Sequence, residues 1–309
     1  MSMKYLNPFA LLELSADPEI SDADFSIWLK RAKKAALAEF ELQDEVEISL
    51  HGVNVDRETV LRMVEELDKP ESRDFHRFVS KNPSLEAFLS EASLELFYEG
   101  DTSLLAGQSK AFLEWMAPYF STQYNIRLVH ALKQKDHEEI EAMCAAPLYV
   151  PAAYQAAAYQ DSYRYLHAQV EDIEALTQEI ASGTAPDGRV QEYCDEMLID
   201  ALNVLPAYFA GVRDRYGLAL ESLAIEVHNT HQRAQLGIFI LNQGLKLEVS
   251  EETRRRLQHI LEQLKAIAPM DNIWESFTGG SASKEKKKSM WWVALGVGAA
   301  IFLALQLIF

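Results

Sequence analysis

Hydrophobic positions in the first forty residues recur with a helical period. The dipeptide Asn7-Pro8 places an N-cap residue before a proline at the first helical position, which predicts a short helix over PFALLEL. Ser21 or Asp22 can cap a second helix, which we expect to bury one apolar face. That face carries Phe25, Trp28, Leu29, Ala32, Ala36 and Phe40.

The same periodicity continues to about residue 98. We expect an extended piece at residues 46–50, inside the loop that follows the second helix, and a third helix over about residues 56–67. Pro70 interrupts that helix, and the dipeptide Asn82-Pro83 repeats the cap-and-proline signal. The sequence therefore predicts a helical module over residues 1–98.

After residue 100 the pattern remains helical, and long alternating strands are absent. The periodicity predicts helices at about residues 106–120, 122–144, 151–182, 188–214, 216–230, 232–248 and 250–267. Breaks are expected at Pro118, Pro147, Pro151, Pro206 and the segment 183–188. We therefore predict an all-α protein in which a helical scaffold, repeat-like or a bundle, over residues 101–270 follows the first module.

The chain ends in an uncharged apolar run, MWWVALGVGAAIFLALQLIF, over residues 290–309. Twenty helical residues span about 30 Å, the thickness of a hydrocarbon core. Trp291 and Trp292 stand at its start, where indole rings favour the headgroup layer. A buried helix of a soluble fold is the alternative, but such a helix rarely lacks any polar face. We expect a single transmembrane anchor and, since the run is C-terminal, a tail-anchored protein.

A linker and a basic collar over residues 278–288 precede the apolar run. The collar lysines are Lys284, Lys286, Lys287 and Lys288. The positive-inside rule places them, and with them the bulk of the chain, on the cytoplasmic side, and we favour a bacterial inner membrane.

Small residues also recur within the apolar run. Gly296, Ala300 and Ala304 lie four residues apart, a spacing that lets two membrane helices approach closely. The spacing fits either a homodimer through the anchor or the ordinary composition of membrane helices.

Charge and cysteine content narrow the functional classes. The 309 residues include 29 basic and 47 acidic side chains, which give a net charge of -18. Such an acidic chain repels phosphate backbones, so we expect no nucleic-acid partner. Two cysteines, Cys144 and Cys194, form no disulfide framework and fit a reducing compartment.

The order of features in the first eighty residues carries a family resemblance. The opening Asn7-Pro8-Phe9-x-x-Leu12-x-Leu14 is followed by a basic helix, a loop, and the ending LDKPESRDF that begins at Leu67. The basic helix carries Lys30, Arg31, Lys33 and Lys34. Together these features resemble a J-domain of the DnaJ family.

That resemblance lacks the family's functional signature. J-domains carry His-Pro-Asp after the second helix, and this tripeptide stimulates ATP hydrolysis by DnaK-type chaperones. Here His51 is followed by Gly52, and no His-Pro-Asp occurs in the chain. The resemblance implies a packing or docking module, or one that still binds a DnaK-type chaperone through the basic helix.

The segment 216–268 is similar to a tetratricopeptide-type helical pair with a capping helix. Leu220, Leu223, Ala224 and Val227 would pack on Leu236, Ile240, Leu241 and Leu245. A final helix with Leu257, Ile260, Leu261 and Leu264 would cover the remaining apolar edge. A simple helical hairpin fits the pattern equally well, and either form presents a surface for peptides or helices.

No residue pattern supports catalysis. Gly-rich phosphate loops are absent, and His228 and His231 lie three apart with Glu226 nearby but without a third metal ligand. We expect both cysteines to be structural thiols. The run of tyrosines, expected to pack in the core or an interface, comprises Tyr149, Tyr154, Tyr159, Tyr163 and Tyr165.

The sequence thus predicts a non-enzymatic protein with no catalytic residue, no cofactor and no metal. We expect a tail-anchored membrane adaptor or co-chaperone-like scaffold that binds a protein partner, with membrane lipid around its anchor. One alternative is a membrane effector whose anchors oligomerise and perturb the bilayer. Another is an enzyme whose active site is assembled from residues distant in sequence.

Overall fold

A computed structural model of the chain describes residues 3–17, 19–43, 46–98, 101–184 and 189–278. This part is mostly helical, as predicted, with one two-stranded antiparallel hairpin. The strands are β1 (Glu47–Leu50) and β2 (Val53–Asp56). The helices are α1 (Pro8–Leu11), α2 (Asp22–Gln43), α3 (Arg57–Asp68), α4 (Pro70–Ser80), α5 (Pro83–Glu91), α6 (Glu95–Tyr98), α7 (Lys110–Gln134), α8 (His137–Ala145), α9 (Ala152–Ala181), α10 (Val190–Tyr193), α11 (Glu196–Val204), α12 (Ala210–His231), α13 (Ala234–Lys246) and α14 (Glu251–Thr278).

The chain divides into two compact units. Of the described residues, those within 3–171 and 195–213 form the first unit, and those within 172–194 and 214–278 form the second. These boundaries differ from the division near residue 100 expected from the sequence. Helices on both sides of that position belong to the first unit, where α5 packs on α7 and α6 packs on α8.

Within the first unit, the N-terminal elements enclose a hydrophobic cluster of their own. α1, α2, α3 and the hairpin contribute to it. Its members include Phe9, Phe25, Leu29, Phe40, Ile48, Val55, Val60 and Leu67, all buried. Arg73 of α4 covers one side of this hydrophobic cluster. Its guanidinium lies 4.6 Å from the centre of the Phe25 ring, and it also donates a hydrogen bond to Asp22 at the start of α2.

Aromatic contacts join α4 and α5 to α7 in the same unit. The Phe75 and Phe78 rings meet the edge of Phe112, with ring centres 5.5 and 5.0 Å apart. Phe88 packs on Phe120 at 4.8 Å. These contacts explain why the chain on either side of residue 100 forms one compact unit.

α7 runs through Pro118, where the sequence predicted a break. Proline in a helix interior costs about 3 kcal/mol. Buried side chains on both sides of Pro118, among them Phe112, Met116 and Phe120, offset this cost, since each contributes about 1.5–3 kcal/mol on burial. The break comes instead at Lys135, whose φ is +56°, before Asp136 caps α8.

The segment 188–214 was predicted to be helical with a break at Pro206, and the structure divides it further. α10 and α11 are short, and a 3-10 turn at Ala207–Phe209 follows the predicted break at Pro206. Tyr159 packs its ring 5.1 Å from that of Phe209 and 5.8 Å from that of Tyr124.

In the second unit, α13 and α14 pack closely. Most of the expected contact residues of the segment 216–268 are buried: Leu220, Leu223, Ala224, Val227, Ile240, Leu241, Leu257, Leu261 and Leu264. Leu236, Leu245 and Ile260 are half-buried. Glycine at position 237 of α13 allows α14 to pack closely, because a Cβ at that position would lie 2.7 Å from Leu264 Cδ1.

The expected collar and anchor lie outside the described residues. This holds for Lys284, Lys286, Lys287, Lys288, Trp291, Trp292, Gly296, Ala300 and Ala304. Across residues 3–278, where described, no helix is long and apolar enough to cross a membrane.

Candidate docking groove

A groove of about 580 Å³ opens along α2 in the first unit. One wall is α2, and the other is formed by the turn after α1 and by the end of β1. Its lining residues are Leu11, Leu12, Glu13, Leu14, Trp28, Arg31, Ala32, Ala35, Ala36, Glu39, Ser49, Leu50 and His51. We call this feature the docking groove.

Local interactions fix the turn after α1. The side chain of Asn7 accepts from the backbone N–H of Phe9 at 3.0 Å, as its N-cap role predicts. Its amide also donates to Ser80 Oγ at 2.9 Å and to Glu86 Oε1 at 2.8 Å, which ties α1 to α4 and α5. Glu13 then takes a left-handed conformation, with φ at +51°, and reverses the chain toward α2.

The hairpin closes the groove at its other end. Leu50 pairs with Val53 across a two-residue turn, and both turn residues have positive φ: +50° at His51 and +82° at Gly52. His51 Nε2 lies 3.2 Å from Glu13 Oε1, so the hairpin tip contacts the turn after α1. Proline could not replace Gly52, because its φ is fixed near −65°. The hairpin geometry therefore excludes a His-Pro-Asp sequence at this turn.

Trp28 lies at the edge of the docking groove. The expectation that it shares the buried face of α2 is wrong, since its side chain is 40% exposed, whereas Phe25 and Leu29 are buried. Successive residues of an α-helix are rotated by about 100°, so Trp28 lies beside the buried face of α2 rather than within it. Small residues at Ala32, Ala35 and Ala36 leave the space next to it open.

The structure places the four basic residues expected to bind a partner at different positions around α2. Arg31 lines the docking groove. Lys30 and Lys34 are exposed on α2 but do not line the groove, and Lys33 is half-buried. Glu39 of α2 does line it, together with Glu13 of the other wall. No described residue forms an ion pair with any of the four. The groove lining thus combines aliphatic side chains with charges of both signs.

Sequence reasoning missed the other wall of the docking groove. Leu11, Leu12, Leu14 and Leu50 contact it from segments separated by the whole of α2. The available signal was the group of small residues on α2 next to an exposed tryptophan. The position of the hairpin, which the sequence indicated only in part, decides which residues face them.

A second cavity of about 250 Å³ lies against a buried polar network in the first unit. The Tyr5 hydroxyl lies 3.1 Å from His76 Nδ1, and His76 Nε2 lies 2.9 Å from Glu66 Oε2. The edge of the Trp115 ring packs on His76, with ring centres 4.9 Å apart. Burial raises the pKa of Tyr5 well above its usual value.

This network holds the N-terminal segment in place. Both ring nitrogens of His76 are engaged, so neither is available to a substrate. The backbone N–H of Tyr5 also donates to the Leu89 carbonyl at 3.1 Å, and Ser90 Oγ donates to the Tyr5 carbonyl at 3.2 Å.

The remaining candidate groups lie apart from the docking groove. Burial raises the pKa of the Cys144 thiol to about 11 and that of Cys194 to about 12, so both thiols are protonated at neutral pH. His228 and His231 are half-buried on α12, and the described part of the chain contains no group of three or more potential metal ligands. Of the five tyrosines in the predicted run, Tyr159 is buried.

Comparison with known protein families, with curated proteins and with solved structures finds no match for this chain. The role of the docking groove therefore rests on its own geometry and chemistry.

Proposed function

We propose that this chain is a non-enzymatic, membrane-anchored adaptor that binds a protein partner at the docking groove. The observation that carries the proposal is a groove of about 580 Å³, lined largely by aliphatic side chains, with an exposed tryptophan at its edge and Arg31 in its lining. Surface grooves that combine aliphatic and polar side chains accept side chains of peptides and helices.

Membrane attachment is the second part of the proposal. It rests on the apolar run at residues 290–309 and the collar lysines before it. An anchor confines the docking groove to the membrane surface, which raises the local concentration of any partner held there. The collar favours a cytoplasmic location for the rest of the chain.

A DnaK-type chaperone is the partner that the J-domain resemblance implies. Because the hairpin turn carries His51-Gly52 in place of His-Pro-Asp, we expect such a chaperone to bind without faster ATP hydrolysis. A steady-state ATPase assay with the purified full chain separates binding from stimulation.

Photo-crosslinking in native membranes tests the adaptor function. A benzophenone amino acid at Ala35 is expected to give a discrete crosslinked product, and the same group at Ala157, an exposed position on α9, serves as the control. The product should disappear with Arg31→Glu. Equal products from both positions, or none from Ala35, would contradict the docking function.

Membrane fractionation tests the anchor. The full chain should sediment with membranes and resist extraction by carbonate, whereas a chain that ends before Lys284 should be recovered in the supernatant. Recovery of the full chain in the supernatant would overturn the membrane part of the proposal.

A further inference from the structure

We infer that the outward face of α2 lies against an anionic lipid surface, with its lysines at the phosphate headgroups and with Ile27 and Trp28 in the interfacial layer. This inference rests on the proposed membrane attachment and specifies which surface of the first unit meets the bilayer. The contact lies outside the docking groove, although Trp28 and Arg31 border both surfaces.

The middle of α2 carries basic residues and no acidic ones. Residues 25–38 contain four basic side chains, in a chain whose net charge is -18. The acidic residues of α2 lie nearer its ends and are Asp22, Asp24, Glu39 and Glu41. At least about 7 Å of helix axis separates them from Lys30 and Lys34, which is close to the screening length of about 8 Å at physiological salt. A local positive region therefore persists on an acidic chain.

Helical spacing brings these cations and an apolar side chain onto one exposed face. Residues at i, i+3, i+4, i+7 and i+11 share a face of an α-helix. Counted from Ile27, they are Ile27, Lys30, Arg31, Lys34 and Ala38. All five are exposed, and Ile27 is 49% exposed. Trp28 borders them on the side of the docking groove. We call these six residues the basic face of α2.

Lys30 and Lys34 supply most of the attraction to an anionic surface. They are one helical turn apart, and neither forms an ion pair with a described residue. Arg31 adds less, because Glu13 and Glu39 line the docking groove together with it. Lysine stems lie along apolar surface while their ammonium groups reach the headgroup phosphates. Each such cation favours an anionic leaflet about fivefold, which corresponds to about 1 kcal/mol.

The apolar part of the basic face favours lipid over other anionic partners. Exposed aliphatic and indole side chains next to lysines are typical of helices that lie in the layer between headgroups and acyl chains. A nucleic acid would offer phosphates but no apolar layer for Ile27. Because the proposed anchor keeps the face near a membrane, a weak contact is sufficient. Carbonate extraction deprotonates lysine and releases such a contact, so it still tests the anchor alone.

A fluorescent probe on the basic face measures its contact with lipid. The full chain carries nitrobenzoxadiazole at Ala38→Cys, and the same dye at Ala157→Cys on α9 is the control, since both positions are exposed. Cys144 and Cys194 are protonated at neutral pH, so the introduced thiol reacts first. The chain is placed in nanodiscs of phosphatidylcholine alone or of phosphatidylcholine mixed with phosphatidylserine. Quenching of the dye by a nitroxide-labelled lipid reports the contact.

Quenching of the probe on the basic face should be stronger with phosphatidylserine, because the two lysines raise the equilibrium constant for contact about 25-fold. Lys30→Gln combined with Lys34→Gln should remove that gain, whereas Lys30→Arg combined with Lys34→Arg should keep it. Lys81→Gln combined with Lys133→Gln, at exposed positions of the same unit, should change nothing. Ile27→Ser should weaken the contact about threefold, since half of this side chain is free to insert.

Other results would overturn the inference in distinguishable ways. Equal quenching in the two lipid compositions, or equal quenching of the two probes, would refute it and leave the anchor standing. If the chain fails to enter nanodiscs, the anchor is refuted, and the labelled chain is mixed with vesicles of both compositions. A gain with phosphatidylserine vesicles would then support the basic face alone, and no gain would refute it. Benzophenone at Ala38 that crosslinks to a protein instead of lipid in native membranes would assign the face to an acidic protein.

Discussion

Gly237→Ala adds one methyl group at the closest approach between α13 and its neighbours in the second unit. A Cβ built at Gly237 lies 2.7 Å from Leu264 Cδ1 and 3.0 Å from the backbone oxygen of Ala224. The Leu264 side chain can rotate away, but the Ala224 oxygen belongs to a helix backbone. One of the two collisions therefore requires a shift of α13 itself.

The expected loss of stability follows from two opposing terms. Overpacking in a tight interface costs about 2–3 kcal/mol when backbone must move. Alanine gains about 1 kcal/mol over glycine in helix propensity. The free energy of unfolding of the second unit should therefore fall by about 1–2 kcal/mol.

Hydrogen–deuterium exchange of the full chain, read by mass spectrometry, measures this effect locally. A loss of this size should accelerate exchange in peptides from α13 and α14 by a factor of about 5–30. Gly211→Ala is the matched control, because a Cβ at Gly211 meets nothing within 4 Å. Unchanged exchange in Gly237→Ala, or equal acceleration in both variants, would refute the close helix contact.

Three further predictions concern the first unit. Tyr5→Phe removes the hydroxyl that contacts His76 and should lower the free energy of unfolding by about 1 kcal/mol, and no change in urea denaturation would argue against the network. Asp136→Ala removes the side chain that caps the Glu139 N–H at 3.1 Å, so exchange of α8 amides should quicken about fivefold, and equal rates would contradict the cap. Burial raises the pKa of the Cys144 thiol from 9.0 to about 11. The neutral thiol therefore contributes fully to the stability of the folded state below about pH 9, and this contribution is lost as the pH rises through 11. Alkylation of Cys144 by iodoacetamide should therefore accelerate up to about pH 11, and a plateau near pH 9 would show that the thiol is not buried.

Local signals in the sequence predicted much of the helical structure. The Asn7-Pro8 and Asn82-Pro83 starts agree with α1 and α5, although the Asn82 side chain makes no capping hydrogen bond in the structure. The helical period also placed the long helix α9 correctly. These features depend on residues within a few positions of one another, so the order of residues along the chain is enough to predict them.

Features that depend on distant contacts were predicted less well. Pro118 remains inside α7 because aromatic residues on both sides of it are buried against other helices. The Tyr5–His76 contact joins residues 71 positions apart, so no local pattern indicates it.

Of the four basic residues expected to bind a partner, Arg31 lines the docking groove. The basic residues of α2 stand out in the sequence, but the opposite wall of the docking groove does not. That wall exists because Glu13 reverses the chain after α1 and the turn at His51 brings β1 beside it. Positive φ at Glu13 and His51 is uncommon for residues other than glycine, and the sequence gives no sign of it.

Quantitative affinity capture of the tagged full chain from detergent-solubilised membranes tests the docking function most directly. Captures with the natural chain, with Ala35→Gln and with Ala157→Gln are compared by mass spectrometry. The docking function predicts a partner that is recovered with the natural chain and with Ala157→Gln and depleted about tenfold with Ala35→Gln. The same proteins in equal amounts from all three would contradict it, because the docking groove would then have no part in binding.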